Sequence, residues 1–161
     1  MENDLRAGEQ TVAPPAPTDA GLVFIGRIRT PWTARSECPR QGAVDGPVCT
    51  IEVFDPWIEA LHGIAQYPTL EILYWMNQSR RDLVRQNPAN DDRVRGTFAL
   101  RSPIRPNPIA TSIVRLERVE SGRLHVRGLD CVDGTPLLDI KPDRKCFTPP
   151  VADIDAVTSR S

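Results

Sequence analysis

Five arginines, Arg93, Arg95, Arg101, Arg105 and Arg115, fall within residues 93–116, a stretch that holds no Asp or Glu. Guanidinium groups without acids nearby in the chain suit an anionic ligand, because the planar fork matches a carboxylate or a phosphate. The middle of this stretch is Arg101-Ser102-Pro103-Ile104-Arg105-Pro106-Asn107-Pro108-Ile109. Its prolines fix φ at about −65° and remove backbone donors, and the residues before them are pushed toward extended conformations. The segment therefore predicts a stiff loop, neither helix nor central strand. Such a loop holds Arg101, Ser102, Arg105 and Asn107 in set directions. The alternative is a proline-rich surface loop whose arginines pair with distant acids.

A second constellation is Asp139 with Lys141. Asp133-Gly134 is a turn signal. In the strand that follows, Leu138 and Ile140 take one face and Asp139 and Lys141 the other. A carboxylate beside an ammonium can orient a substrate or help move a proton; it can equally be an ordinary surface ion pair. Cys38-Pro39-Arg40-Gln41-Gly42 offers the Arg40 and Gln41 donors beside a proline-fixed turn. Asn77 and Gln78, at the exit of an apolar run, can read a polar ligand edge or simply cap the strand. Trp75 and Met76 read as core. His62 and His125 have no acidic or cysteine partner at a useful spacing, which gives a hydrolytic triad little support. The glycine patterns of dinucleotide and nucleotide modules are missing. Cys38, Cys49, Cys131 and Cys146 show no paired spacing, so no structural zinc and no metal cofactor is expected.

Those residues need elements to position them. A chain of 161 residues with a formal net charge of −1 is one domain with a real core, and polyanion binding would require a local basic face. Eighteen of its 20 basic residues are arginine. Residues 1–20 are polar and proline-rich, which predicts a disordered tail. A first strand is expected over 21–26, then a long loop over 30–47 and a strand over 48–54. Asp55 and Pro56 should cap and open a helix to about Gln66, with Trp57, Leu61 and Ile64 as its apolar stripe. Strands are expected over 70–76 and 93–100, with polar loop over 77–92. Residues 109–120 and 123–130 read as a hairpin about Ser121-Gly122. A short strand over 137–140 ends the set, with an irregular tail over 148–161. The fold class is thus mainly β, a barrel-like α+β domain with one helix. Nothing reads as a signal peptide or membrane span, so a cytoplasmic protein with free thiols and no membrane partner is expected.

Taken together, the motifs resemble one family, the TsaA-like or TrmO family of S-adenosylmethionine-dependent tRNA methyltransferases. The resemblance rests on Gly26-Arg27-Ile28 with Thr30-Pro31, on Pro39-Arg40-Gln41, and on Phe98-Ala99 leading into the 101–109 loop. Asp133-Gly134-Thr135-Pro136 and Asp139-Ile140-Lys141-Pro142 complete it. It covers about residues 21–147. It implies a β-barrel rather than a Rossmann-type methyltransferase, and a homodimer with its site near the subunit interface. It also implies N6-methylation of threonylcarbamoyladenosine at position 37, beside the anticodon of tRNA. Carried over, S-adenosylmethionine would touch Pro39, Arg40, Gln41, Asn77, Gln78, Arg101 and Thr111, and the turn Val132, Asp133, Gly134 and Thr135. Two features depart from the family pattern: Met76-Asn77 stands where members often carry an aromatic-His pair, and Thr111 replaces a usual Leu. Ala110 is the small residue expected after the Asn-Pro-Ile run. The extra C-terminal domain of some bacterial members is not expected.

Within that resemblance, methyl transfer needs alignment but no metal, and the acceptor nitrogen must lose its proton. Asp139 is expected as base or water-orienting residue, with Lys141 fixing it or binding the substrate carboxylate. Arg101 and Arg105, with Asn107 beside them, would hold substrate carboxylate or phosphate groups. Two other readings stay open: the same chemistry on another small molecule or RNA, and a cofactor-sensing module without catalysis.

Overall fold

The computed structural model describes residues 5–147. The tail expected over 148–161 lies outside them, as do residues 1–4. The described residues form nine strands: β1 (Gln10–Thr11), β2 (Gly26–Arg29), β3 (Cys49–Val53), β4 (Thr69–Trp75), β5 (Leu83–Gln86), β6 (Arg95–Gly96), β7 (Ile109–Glu120), β8 (Arg123–Arg127) and β9 (Thr135–Pro142). Six of them close an antiparallel barrel in the order β2-β3-β8-β7-β4-β9. The remaining three form a small sheet, β1-β5-β6.

Alternation of residue type builds the barrel. On β3, β4 and β8 the inward positions are Cys49, Ile51 and Val53, then Leu70, Ile72 and Tyr74, then Leu124 and Val126. All of these are buried and belong to one apolar cluster with Ile28, Val114, Leu129, Cys131 and Leu137. Each fully buried Leu or Ile contributes roughly 1.5–3 kcal/mol. Two bulges help the sheet bend closed. Glu117 is the extra residue of β7 opposite β8. Leu138 is the extra residue of β9 opposite β4, where Leu73 faces Asp139 and Tyr74 faces Leu137. The Leu138 bulge resets the alternation. Leu137 and Ile140, rather than Leu138 and Ile140, face the core, while Asp139 and Lys141 stay outside.

Several expectations are corrected. The segment after Asp55 is helical, but it is two 3-10 turns, Trp57–Leu61 and Ile64–Gln66, not one α-helix. Gly63, with φ +81°, interrupts it. The first barrel strand starts at Gly26 rather than at 21. The 77–92 loop contains β5. The strand expected over 93–100 shrinks to β6 and one 3-10 turn, because Thr97 leaves the ladder to serve a buried side-chain network. Residues 5–12 of the expected disordered tail are docked on the domain. The Arg6 guanidinium donates to the Asn87 and Pro88 carbonyls at 3.0 and 2.7 Å, Asn87 N–H donates to Glu9, and β1 pairs with β5. Polar bonds replace the apolar area that the composition lacks. Among the described residues no helix is long and apolar enough to cross a membrane.

Candidate functional site

A cleft opens at the end of the barrel where β4 leaves and β7 enters. Two cavities, of about 520 and about 380 Å³, adjoin there, and both are lined by Arg40, Arg101, Thr111 and Asp130. Three loops frame it. The first is the segment 35–42. The Glu37 carboxylate accepts from the backbone N–H of Ala34 at 3.0 Å and of Thr33 at 2.7 Å, and from the Thr33 hydroxyl. These donors hold its carboxyl below the usual range and fix the turn ahead of Pro39. Gly42 then lies against the 128–130 segment so closely that a Cβ would sit 1.8 Å from the Gly128 carbonyl oxygen. Only glycine permits that approach.

The second is the proline-rich loop. Residues 101–108 form neither helix nor strand, as expected, but their side chains divide. Arg101 and Ser102 face the cleft. Arg105 turns inward and donates to the Leu100 carbonyl at 2.6 Å, with longer contacts to Thr97 and Ser102 and its guanidinium over the Phe98 ring. The Asn107 side chain accepts from Arg81, which also binds the Pro106 carbonyl and covers Trp75. Arg105 and Asn107, expected on the substrate, are thus engaged in holding the loop. Buried Gln86 ties the same loop to the small sheet through Thr97 and the Ile104 carbonyl.

The third is the 128–135 segment. Asp133 accepts from the Thr30 N–H at 3.1 Å and pairs with Arg29 at 3.2 Å. Its own N–H reaches Trp32, and Gly134, with φ +81°, donates to Ile28. Asp133 and Gly134, expected as cofactor contacts, therefore stitch this segment to the first loop and line no described cavity. Val132 lines the smaller cavity with Pro39, and Gln41 the larger. Asn77, Gln78 and Thr135 line a minor pocket that shares Met76, Arg35 and Val132 with it.

Asp139 and Lys141 do not join this group. Their ion pair is half-exposed on the outer face of β9, Asp139 also accepts from the Ile140 N–H, and neither lines a described cavity. The pairing holds the Lys141 ammonium above its usual range. The carboxylates in the cleft are Asp130 and Glu71. Asp130 Oδ1 accepts from the Tyr74 hydroxyl at 2.6 Å, and the Tyr74 oxygen lies 2.8 Å from the Ser112 hydroxyl. Burial and the neighbouring carboxylate push the Tyr74 phenol up strongly, so it stays a donor. Glu71 accepts from Thr111 at 2.9 Å. No ion-pair partner of Arg40 or Arg101 is present among the described residues. Sequence reasoning missed Asp130, Tyr74, Ser112 and Glu71. The available signal was parity: Tyr74 and Ser112 are polar groups at inward positions near strand ends.

The profile of the tRNA-methyltransferase O N-terminal domain family matches residues 27–147. The chain belongs to this family. It is 57% identical over 145 residues to a probable S-adenosyl-L-methionine-binding protein, VirR, of Rhizobium radiobacter, covering 90% of this chain and 83% of that protein. A 41% identity over 117 residues links it to an S-adenosyl-L-methionine-binding protein of Archaeoglobus fulgidus, covering 73% and 84%. A crystal structure of TrmO from Pseudomonas aeruginosa superposes with a TM-score of 0.68 at 34% identity, covering 84% of this chain and 61% of that one. The chain thus spans about six-tenths of the solved TrmO chain. As expected for the TrmO family, the domain is a closed barrel and not a Rossmann fold. Among the described residues no group of His, Cys, Asp and Glu side chains is placed to hold a metal ion.

Proposed function

We propose that this chain is an S-adenosylmethionine-dependent methyltransferase that works in the cleft between the three loops. The cleft's donor set carries the reading. S-adenosylmethionine brings a carboxylate, an ammonium, a purine and a sulfonium. The cleft faces it with the unpaired guanidiniums of Arg40 and Arg101, the carboxylate of Glu71, and an apolar wall of Met76, Ile109, Ala110 and Val132. A volume of about 380 Å³ lies in the range of small-molecule sites. The bound cofactor supplies an electrophilic methyl group. The chain's own residues clamp carboxylates through Arg40 and Arg101, narrow the mouth with Pro39 and Pro103, and fix Asp130 from below with Tyr74.

The finer reading is N6-methylation of threonylcarbamoyladenosine at position 37 of cytoplasmic tRNA by a homodimer. The family's own description supports tRNA as the class of substrate. The threonyl carboxylate of that nucleoside gives the reacting pair a second anion, and Arg35 adds a third guanidinium at the cleft edge. Exposed Ile109 and Ile113 beside the cleft support burial against a second copy. The second reading, a cofactor-binding module without catalysis, is favoured by the names of the two relatives above, which speak of binding alone. One experiment separates them. Calorimetry with S-adenosylmethionine is followed by incubation with methyl-labelled cofactor and total tRNA from a strain lacking the modification. Label in a digested nucleoside supports the enzyme. Binding without label supports the sensor, and neither sinks both readings.

A further inference from the structure

We infer that Asp130 is the catalytic residue that takes the proton from the methyl acceptor, with Tyr74 and Ser112 as its positioning residues. The inference rests on the methyltransferase reading and assigns the proton within it. An exocyclic nitrogen conjugated with a purine and a carbamoyl group is a poor nucleophile while it keeps its hydrogen, so a base must stand at the reacting atom. Geometry leaves one candidate. Asp130 lies where the two cavities meet. Its Oδ1 is occupied by the Tyr74 hydroxyl at 2.6 Å, whereas Oδ2 has no partner among the described residues.

The other basic groups are badly placed. Glu71 lines only the larger cavity and accepts from Thr111. Asp139 is tied to Lys141 on the outside of the barrel. His125 sits against Glu120 and Thr50 on β8. Cys38 reaches the smaller cavity, but burial and the charges of Asp130 and Glu37 push its thiol up, away from the thiolate.

Tyr74 is 2% exposed and keeps its proton. Its single hydrogen goes to Asp130, so Ser112 donates to the Tyr74 oxygen. This chain fixes the carboxylate plane and leaves the free oxygen toward the cleft. In the step itself the acceptor N–H bond breaks toward Oδ2 of Asp130 as the nitrogen pair forms the new N–C bond. The C–S bonding pair remains on sulfur, which becomes a neutral thioether. The proton on Asp130 then passes to solvent through the open cleft.

The test uses the full chain with methyl-labelled cofactor and the unmodified tRNA. Asp130→Asn preserves the shape and can still accept from Tyr74. The expected result is a fall in kcat of roughly 10²–10⁴, with cofactor affinity by calorimetry within about threefold and an unchanged fold by circular dichroism. Asp130→Glu, which restores a carboxylate one methylene longer, should recover part of the rate. Tyr74→Phe should lower kcat about tenfold without raising KM for tRNA. Wild-type label together with full turnover in folded Asp130→Asn overturns the inference and leaves the methyltransferase reading standing. A rate loss in Asp130→Asn matched by an equal loss of cofactor affinity also overturns it, since Asp130 would then be a binding group. Absence of label with the wild type brings down the methyltransferase reading itself.

Discussion

Gly42→Ala should separate cofactor binding from the stability of the barrel. A methyl group at this position would lie 1.8 Å from the Gly128 carbonyl oxygen, 2.4 Å from its carbon and 3.1 Å from the carbonyl carbon of Leu129. All three are backbone atoms, so no side chain can swing away. Ordinary contact begins at 3.4 Å, so the two segments must part by about 1.6 Å (3.4 minus 1.8). The barrel side cannot yield easily, because Gly128 has φ +116° and packs on Ile113 and Val114 of β7. The loop carrying Pro39, Arg40 and Gln41 is exposed and gives way instead. A displacement of that size removes Arg40 from hydrogen-bond range of a ligand that Arg101 still holds. The loss of one charge-assisted hydrogen bond is about 1.5–3 kcal/mol, which is roughly a tenfold to 150-fold rise in Kd. Overpacking at the loop itself costs about 1–3 kcal/mol of stability. Calorimetry with S-adenosylmethionine and thermal melting measure both. A folded Gly42→Ala protein with wild-type affinity would refute the claim that this close approach sets the position of Arg40.

Three further outcomes are expected. Asp139→Asn should keep turnover within about threefold and change stability by less than about 1 kcal/mol, as for an exposed ion pair; labelled-tRNA assays and melting check it. Deleting residues 1–12 should lower stability by roughly 1–4 kcal/mol, since it removes Arg6, Glu9 and the β1 pairing while leaving the barrel intact; urea unfolding reads this directly. Burial pushes the Cys49 thiol up to about 11 and the Cys131 thiol up to about 12. Unfolded thiols lose their proton near pH 8.5 while the folded ones keep it, so stability should fall as pH rises from about 8.5 to 10, and Cys131→Ala should flatten that fall in melting curves.

The barrel was legible because its rule is local. Apolar residues at every second position of β3, β4 and β8 point one way whatever the rest of the chain does. The hairpin about Ser121-Gly122 was equally plain, with both residues at positive φ in the turn. Two of the misreadings share a cause, which is competition from partners outside the local segment. Thr97 left the ladder to bond the Gln86 side chain and the Leu83 carbonyl, and a docked N-terminal segment pairs with the strand over residues 83–86. Neither partner is near in sequence. The Leu138 bulge had no marker of its own, and it moved one core position without disturbing the outward pair.

The candidate site was half legible for the same reason. Motifs located the loops, because prolines and turn residues act over a few positions, but they did not reveal which side chains each loop would consume. Arg105 and Asn107 share the motif with Arg101, yet three carbonyls hold Arg105 and Arg81 holds Asn107, while the Arg101 guanidinium has no such contact among the described residues. A guanidinium that satisfies backbone carbonyls cannot also clamp a ligand at full strength. The motif therefore encodes both the stiffness of the loop and its one projecting cation. The carboxylate opposite comes from another logic, the barrel itself. Tyr74 and Ser112 occupy inward positions on neighbouring strands, where a polar group must find a partner or cost several kcal/mol. Asp130 is that partner. The rigid core thus orients the Asp130 carboxylate, while the loops supply the cations that select what lies against it.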